Sequence, residues 1–159
     1  MTLQRARRGG PGRVIPPGGV KIQANLPLRH LVPNFGDKTV SLIDGVAQAV
    51  AKTLPGDEEA YGVNFSSKTP GKAFVMNRVR KDVAVVDTAS GDILSRIPVG
   101  GNTETASTTA DGSYIIAAVS GADSVVVIDP MTGTVKKTFP KVGKYPWSVT
   151  IPNGQNYCH

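Results

Sequence analysis

Cysteine is almost absent from this chain. Cys158 is the only one among 159 residues, so no internal disulfide framework can form. Histidine is nearly as scarce, with His30 and His159 alone. Zinc, copper and haem sites draw on several His or Cys ligands in fixed geometry, so no metal centre and no cofactor are expected from this chain by itself. Cys158-His159 matches the end of a haem-attachment motif, but Gln155 stands where its first cysteine is needed. No apolar run reaches the ~20 residues of a helical membrane span. The start of the chain, MTLQRARRGGPGRVIPPGG, is basic yet lacks the apolar stretch of a secretory signal. A nucleophile elbow of the G-x-S-x-G kind is missing too. Gly9-Gly10-Pro11-Gly12 is not a phosphate loop, because no helical pattern follows it. No residue is therefore assigned a catalytic role.

Acidic residues are missing from positions 1–30, which hold Arg5, Arg7, Arg8, Arg13, Lys21 and Arg29. From residue 31 onward 12 basic and 12 acidic residues balance, so the net charge of +6 belongs to the Gly/Pro-rich leader. A basic arm can bind phosphates. Single-strand binders interleave aromatics with the basic residues, however, and this leader has none. The reading is a solvated, irregular leader over 1–28 rather than a nucleic-acid arm.

What the chain does contain is repetition. TVSLID, DVAVVD and SVVVID end on Asp44, Asp87 and Asp129, which lie 43 and 42 residues apart. Eleven residues after each aspartate stands a proline behind an apolar residue, as Leu54-Pro55, Ile97-Pro98 and Phe139-Pro140. Turn glycines recur as Pro70-Gly71, Asp111-Gly112 and Asn153-Gly154. A period of this length made of short strands and turns marks β-propeller blades.

The best-formed unit divides into strands at Thr103–Thr109, Ser113–Val119, Ser124–Asp129 and Thr134–Phe139, with turns rich in Asp, Gly and Pro between them. The unit before it has strands near Tyr61–Ser66, Lys72–Asn77, Asp82–Asp87 and Ile93–Pro98. A first unit holds Arg29–Pro33, Thr39–Asp44 and Ala49–Leu54. Its stretch Gly45–Lys52 has helical composition, but the repeat register makes it turn and strand. The last unit offers Trp147–Ile151 and a strand beginning at Asn156. The expected fold is all-β, a partial propeller of four-stranded antiparallel blades: a partial blade at 29–55, blades at 56–99 and 100–142, and the start of another at 143–159. About three blades cannot close a ring of four to eight. The chain thus reads as a segment of a longer protein that needs further blades, or other copies, to close.

The pattern resembles the YVTN-type β-propeller repeat. The matching segments are Leu31-Val32-Pro33-Asn34, Phe74-Val75-Met76-Asn77 and Ala117-Ala118-Val119-Ser120, together with the Val-Ser-Leu-Ile-Asp and Val-Val-Val-Ile-Asp strands and Ile97-Pro98-Val99-Gly100. The resemblance covers about 29–159 and implies an exported protein of the cell envelope, periplasmic or extracellular, with a protein or glycan ligand. It also admits a propeller oxidoreductase (quinohaemoprotein, haem nitrite reductase-like or copper-dependent) whose cofactor ligands lie elsewhere, and a lactonase-like hydrolase using a divalent cation.

Four residues stand out as channel-rim candidates. Glu59 and Glu104 each follow a glycine by three residues, at the start of an innermost strand, where two carboxylates could hold a cation or share acid–base work. The plain alternative is a pair of solvated loop charges. Tyr145 and Trp147 flank Pro146 and could stack on a ligand ring or pack between blades. Asp44, Asp87 and Asp129 read as structural turn aspartates, since a carboxylate before a turn accepts backbone N–H bonds two or three residues on. A non-catalytic binding or scaffold segment is the function that fits these features best.

Overall fold

The computed structural model describes residues 29–55 and 59–156. The leader 1–28, with Cys158 and His159, lies outside the described residues. Among those described, twelve strands form three antiparallel sheets. The first sheet holds β1 (Arg29–Asn34), β2 (Thr39–Asp44) and β3 (Ala49–Pro55) in sequence order. The second holds β4 (Ala60–Phe65), β5 (Lys72–Asn77), β6 (Asp82–Asp87) and β7 (Ile93–Pro98), again in order. The third runs β11-β10-β9-β8-β12, built from β8 (Thr103–Thr108), β9 (Ile115–Val119), β10 (Ser124–Asp129), β11 (Thr134–Phe139) and β12 (Gln155–Asn156).

The repeated sequence produces repeated local geometry. Asp44 Oδ1 accepts the N–H groups of Val46 and Ala47, both at 2.9 Å. Asp87 Oδ1 takes those of Ala89 and Ser90 at 2.8 Å each, and Asp129 Oδ1 those of Met131 and Thr132 at 2.8 and 3.2 Å. Four residues past each aspartate the backbone is left-handed: Gln48 at φ 53°, Gly91 at 83° and Gly133 at 64°. The stretch from Gly45 is accordingly turn and strand despite its helical composition. Each following strand pair carries a bulge at the same place, between Leu42 and Ile43, Val85 and Val86, and Val127 and Ile128.

Burial follows from how the sheets stack. β5 and β6 are buried along nearly their whole length, because the second sheet is covered on both faces. β10 alternates buried and half-buried, as expected for a sheet covered on one face. Phe74, Met76, Val83 and Ile97 pack with Ile115, Ala117, Val119 and Ile128 between the second and third sheets. Leu31, Leu42 and Leu54 pack with Val75, Ala84 and Val86 between the first and second. β7 and β11 are mostly exposed outer strands.

Two expectations need correction. Trp147–Ile151 is not a strand; it runs beside β8, held by Thr105 Oγ1 donating to the Trp147 carbonyl at 3.0 Å and by Ser107 Oγ donating to that of Val149. The strand at Asn156 pairs with β8 (Gln155 with Thr108, Asn156 with Ser107) instead of opening a further sheet. The physical reason is local: the Thr105 and Ser107 hydroxyls of β8 satisfy carbonyls of the returning chain, and only Gln155–Asn156 reaches the backbone edge of β8 and pairs with it.

Candidate functional site

The second residue of β8 is Glu104, whose side chain has no solvent exposure. Its Oε2 lies 2.9 Å from Nε of Arg78, the residue just after β5. The Nε–H points off that line, so the attraction is coulombic rather than an aligned hydrogen bond. Oε1 accepts from Ser120 Oγ at 2.8 Å and from the Tyr145 hydroxyl at 3.4 Å. The same hydroxyl accepts from Arg78 Nη2 at 3.0 Å. Burial opposes the charge on Arg78, but Glu104, Tyr145 and Glu59 outweigh it and hold the guanidinium above its ordinary pKa. The expectation of a solvated loop charge is therefore wrong for Glu104: it is buried and neutralised.

Glu59 stands at the start of β4 in left-handed backbone (φ 63°), and its carbonyl accepts the Arg78 N–H at 3.2 Å. Glu104 through its carboxylate and Glu59 through its backbone carbonyl thus both border Arg78. Tyr145 is placed by Asp123, itself left-handed at φ 49°, whose Oδ1 accepts the Tyr145 N–H at 2.9 Å. Tyr145 stacks on Trp147 with centroids 6.0 Å apart and planes at 23°. Trp147 meets Tyr61 edge to face at 5.7 Å, and Tyr61 meets Phe35 likewise at 6.0 Å. The Arg78 guanidinium sits 5.5 Å from the Tyr61 ring centre. Phe35, Tyr145 and Trp147 are each 43–50% exposed, so the cluster is a partly open aromatic face around one cation.

Sequence reasoning missed Phe35, Tyr61, Arg78, Ser120 and Asp123. The repeat register carries a signal for three of them. Tyr61, Glu104 and Trp147 are spaced by 43 residues, as are Phe35 and Arg78. Phe35 on Tyr61 and Arg78 on Glu104 are one sheet-to-sheet contact made in two chemistries.

Beside this face lies a groove of about 370 Å³, walled by β1 (His30, Leu31, Pro33) and β4, with Thr105 and Ala106 of β8 at its edge. Among the described residues no three His, Cys, Asp or Glu side chains gather to hold a metal, and no helix is long and apolar enough to cross a membrane.

No known family's sequence profile matches the chain, and no curated protein matches it. Solved structures do. Hydrazine synthase of Kuenenia stuttgartiensis is similar over 86% of this chain and 42% of its own, at 18% identity and a TM-score of 0.69. The WD40 β-propeller domain of Doa1 is similar over 80% of this chain and 44% of that one, at 19% identity and TM-score 0.64. The chain is a partial β-propeller. The dihydro-heme d1 dehydrogenase NirN, in complex with DHE, is also similar over 79% of this chain and 28% of its own, at 17% identity and TM-score 0.60. The segment spans less than half the length of each of these chains. Its three sheets are unclosed blades, and the aromatic face lies at the start of the innermost strands β4 and β8 of this propeller segment.

Proposed function

We propose that the chain is a non-catalytic binding segment of a YVTN-type propeller protein of the cell envelope, and that its aromatic face contacts a partner protein. The observation that carries this reading is the joining of Phe35, Tyr61, Trp147 and Tyr145 around Arg78. Tyr, Trp and Arg are the residue types that dominate protein-binding hot spots, where rigid rings supply area at low entropic cost. Glu104 and Ser120 fit a supporting role, fixing the cation and the Tyr145 hydroxyl from below.

Trp147 is the only tryptophan, so its fluorescence reports directly on this face. The test compares capture of binding proteins by the parent protein with capture by a Trp147→Ala, Tyr61→Ala variant of unchanged thermal midpoint. A partner that the wild type retains, that shifts the Trp147 emission and that the variant loses supports the reading. Equal capture by both refutes it.

A second reading is supported by the likeness to hydrazine synthase and to NirN: the segment as part of a propeller oxidoreductase whose cofactor is held by the rest of the parent protein. An absorbing chromophore or a stoichiometric metal in the purified parent decides for it, and their absence decides against it. A cation-dependent hydrolase built on Glu59 and Glu104 has less support, because a guanidinium 2.9 Å from the Glu104 carboxylate repels a metal ion there.

A further inference from the structure

Two rings of the aromatic face stand almost perpendicular to a third. Phe35 and Trp147 meet Tyr61 at 84° and 86°, while Tyr145 lies nearly parallel to Trp147. Perpendicular rings make a notch with two apolar walls, and Phe35, Trp147 and Tyr145 keep much of their surface open. The polar groups of the face are unequal. Among the described residues Trp147 is hydrogen-bonded only through its carbonyl, which leaves the indole N–H available to donate. Arg78 commits Nε to Glu104 and Nη2 to Tyr145, while its Nη1 makes no hydrogen bond to a described residue. The neighbouring acceptors are engaged. Glu104 Oε1 takes Ser120 and Tyr145, its side chain has no exposure, and the Tyr145 hydroxyl takes Arg78 Nη2.

Such a face selects a ligand that is apolar in outline, rich in acceptors and poor in donors. A proline-rich segment has this chemistry, because every residue brings a carbonyl while proline brings an apolar ring and no N–H. A sugar fits less well, since each hydroxyl buried here is a donor without an acceptor. A charged peptide gains little. Glu104 already neutralises Arg78, and the flanking loops carry both signs, Lys38 and Arg80 beside Asp37 and Asp123. We propose that the face binds a proline-rich segment of its partner in the polyproline II conformation. Pyrrolidine rings pack on Phe35, Tyr61 and Trp147, and peptide carbonyls accept from Trp147 Nε1 and Arg78 Nη1. The inference rests on the reading of this face as a protein-binding surface and names what it takes from the partner. Polyproline II is extended before it binds, so little ordering entropy opposes docking.

Calorimetric titration of the whole chain with a blocked L-oligoproline of about ten residues tests this. The L-peptide should bind with a Kd below about 1 mM and shift the Trp147 emission, whereas its D-enantiomer and a Gly-Ser peptide of equal length should not. Trp147→Phe keeps a ring and removes the donor, so it should weaken binding about 3- to 10-fold at an unchanged thermal midpoint. No binding of the L-peptide, or equal binding of both enantiomers, overturns the proline assignment. Undiminished affinity in Trp147→Phe overturns it too, because the peptide then sits elsewhere. A partner protein still captured by the wild type and lost by the Trp147→Ala, Tyr61→Ala variant would leave the protein-binding face standing, so the two readings fail separately. Binding of cellohexaose in place of the oligoproline overturns both.

Discussion

A carboxylate taken out of water needs fixed positive charge and hydrogen-bond donors in place of its hydration, and Arg78 stands 2.9 Å from Glu104, whose side chain has no exposure. Glu104→Gln leaves the guanidinium without its counter-ion, while Arg78→Met leaves a buried anion alone. Because the Arg78 side chain is 22% exposed, the first change should cost about 2 kcal/mol and the second about 3 kcal/mol, at the low end of broken buried pairs. The double variant should be less destabilised than the sum of the two, by at least about 1 kcal/mol. Urea unfolding of all four proteins measures this cycle, and simple additivity would mean that the pair is not coupled. Glu104 was visible in the sequence as an unusual acid at the start of an inner strand. Its partner was not, because Arg78 lies 26 positions earlier and nothing local to either residue announces the contact.

The turn aspartates give a pH prediction at the same scale. Asp129 is held below its ordinary carboxylate value by the backbone N–H groups of Thr132 and Met131, and Asp111 by the hydroxyl and N–H of Ser113 with help from the Thr109 hydroxyl. With folded values depressed, the stability these groups contribute is fully present above the ordinary value of 3.8 and is lost as the pH falls below it. The thermal midpoint should therefore drop on acidification from about pH 4 to pH 2. Asp111→Asn with Asp129→Asn should flatten that drop while lowering the midpoint at neutral pH. A variant with the wild-type acid profile would sink the assignment.

Among the elements, the strands of the second and third blades were legible almost to the residue, because period-2 patterning, turn chemistry and the 43-residue repeat agree there. Ser113 and Tyr114 drop out of β9 because Asp111 binds Ser113 twice and holds it in the turn. The segment from Trp147 was legible as an inner-strand sequence, yet it makes side-chain bonds to β8 and no ladder of its own. A strand needs a neighbouring strand, and only its own sequence is local. Gly62→Ala probes the most crowded contact between inner strands. Its Cβ would strike the Glu104 carbonyl, so β4 or β8 must shift, and the loss should be about 2 kcal/mol in urea unfolding. Gly36→Ala, with nothing near the added atom, is the control and should change stability far less.

At the scale of the whole molecule, the second blade shows what a covered blade looks like, and the others show what its absence means. β5 and β6 are buried on both faces, whereas Val125, Val127 and Ile116 of the third blade keep part of their surface in water. In the first blade Val46 and Val50 are 77% and 59% exposed. Faces of this kind are satisfied in a propeller by the next blade, so the free segment should gain stability from anything that covers them. Over a hundredfold rise in concentration, the thermal midpoint should climb by a few degrees and the sedimentation mass should exceed 16.6 kDa. Val125→Lys with Val127→Lys should abolish both changes, because a charged face resists covering while the opposite side of β10, packed on the second blade, is untouched. A midpoint and mass independent of concentration would show that the open blades are stable in water as they stand, and the need for neighbouring blades would fall with that result.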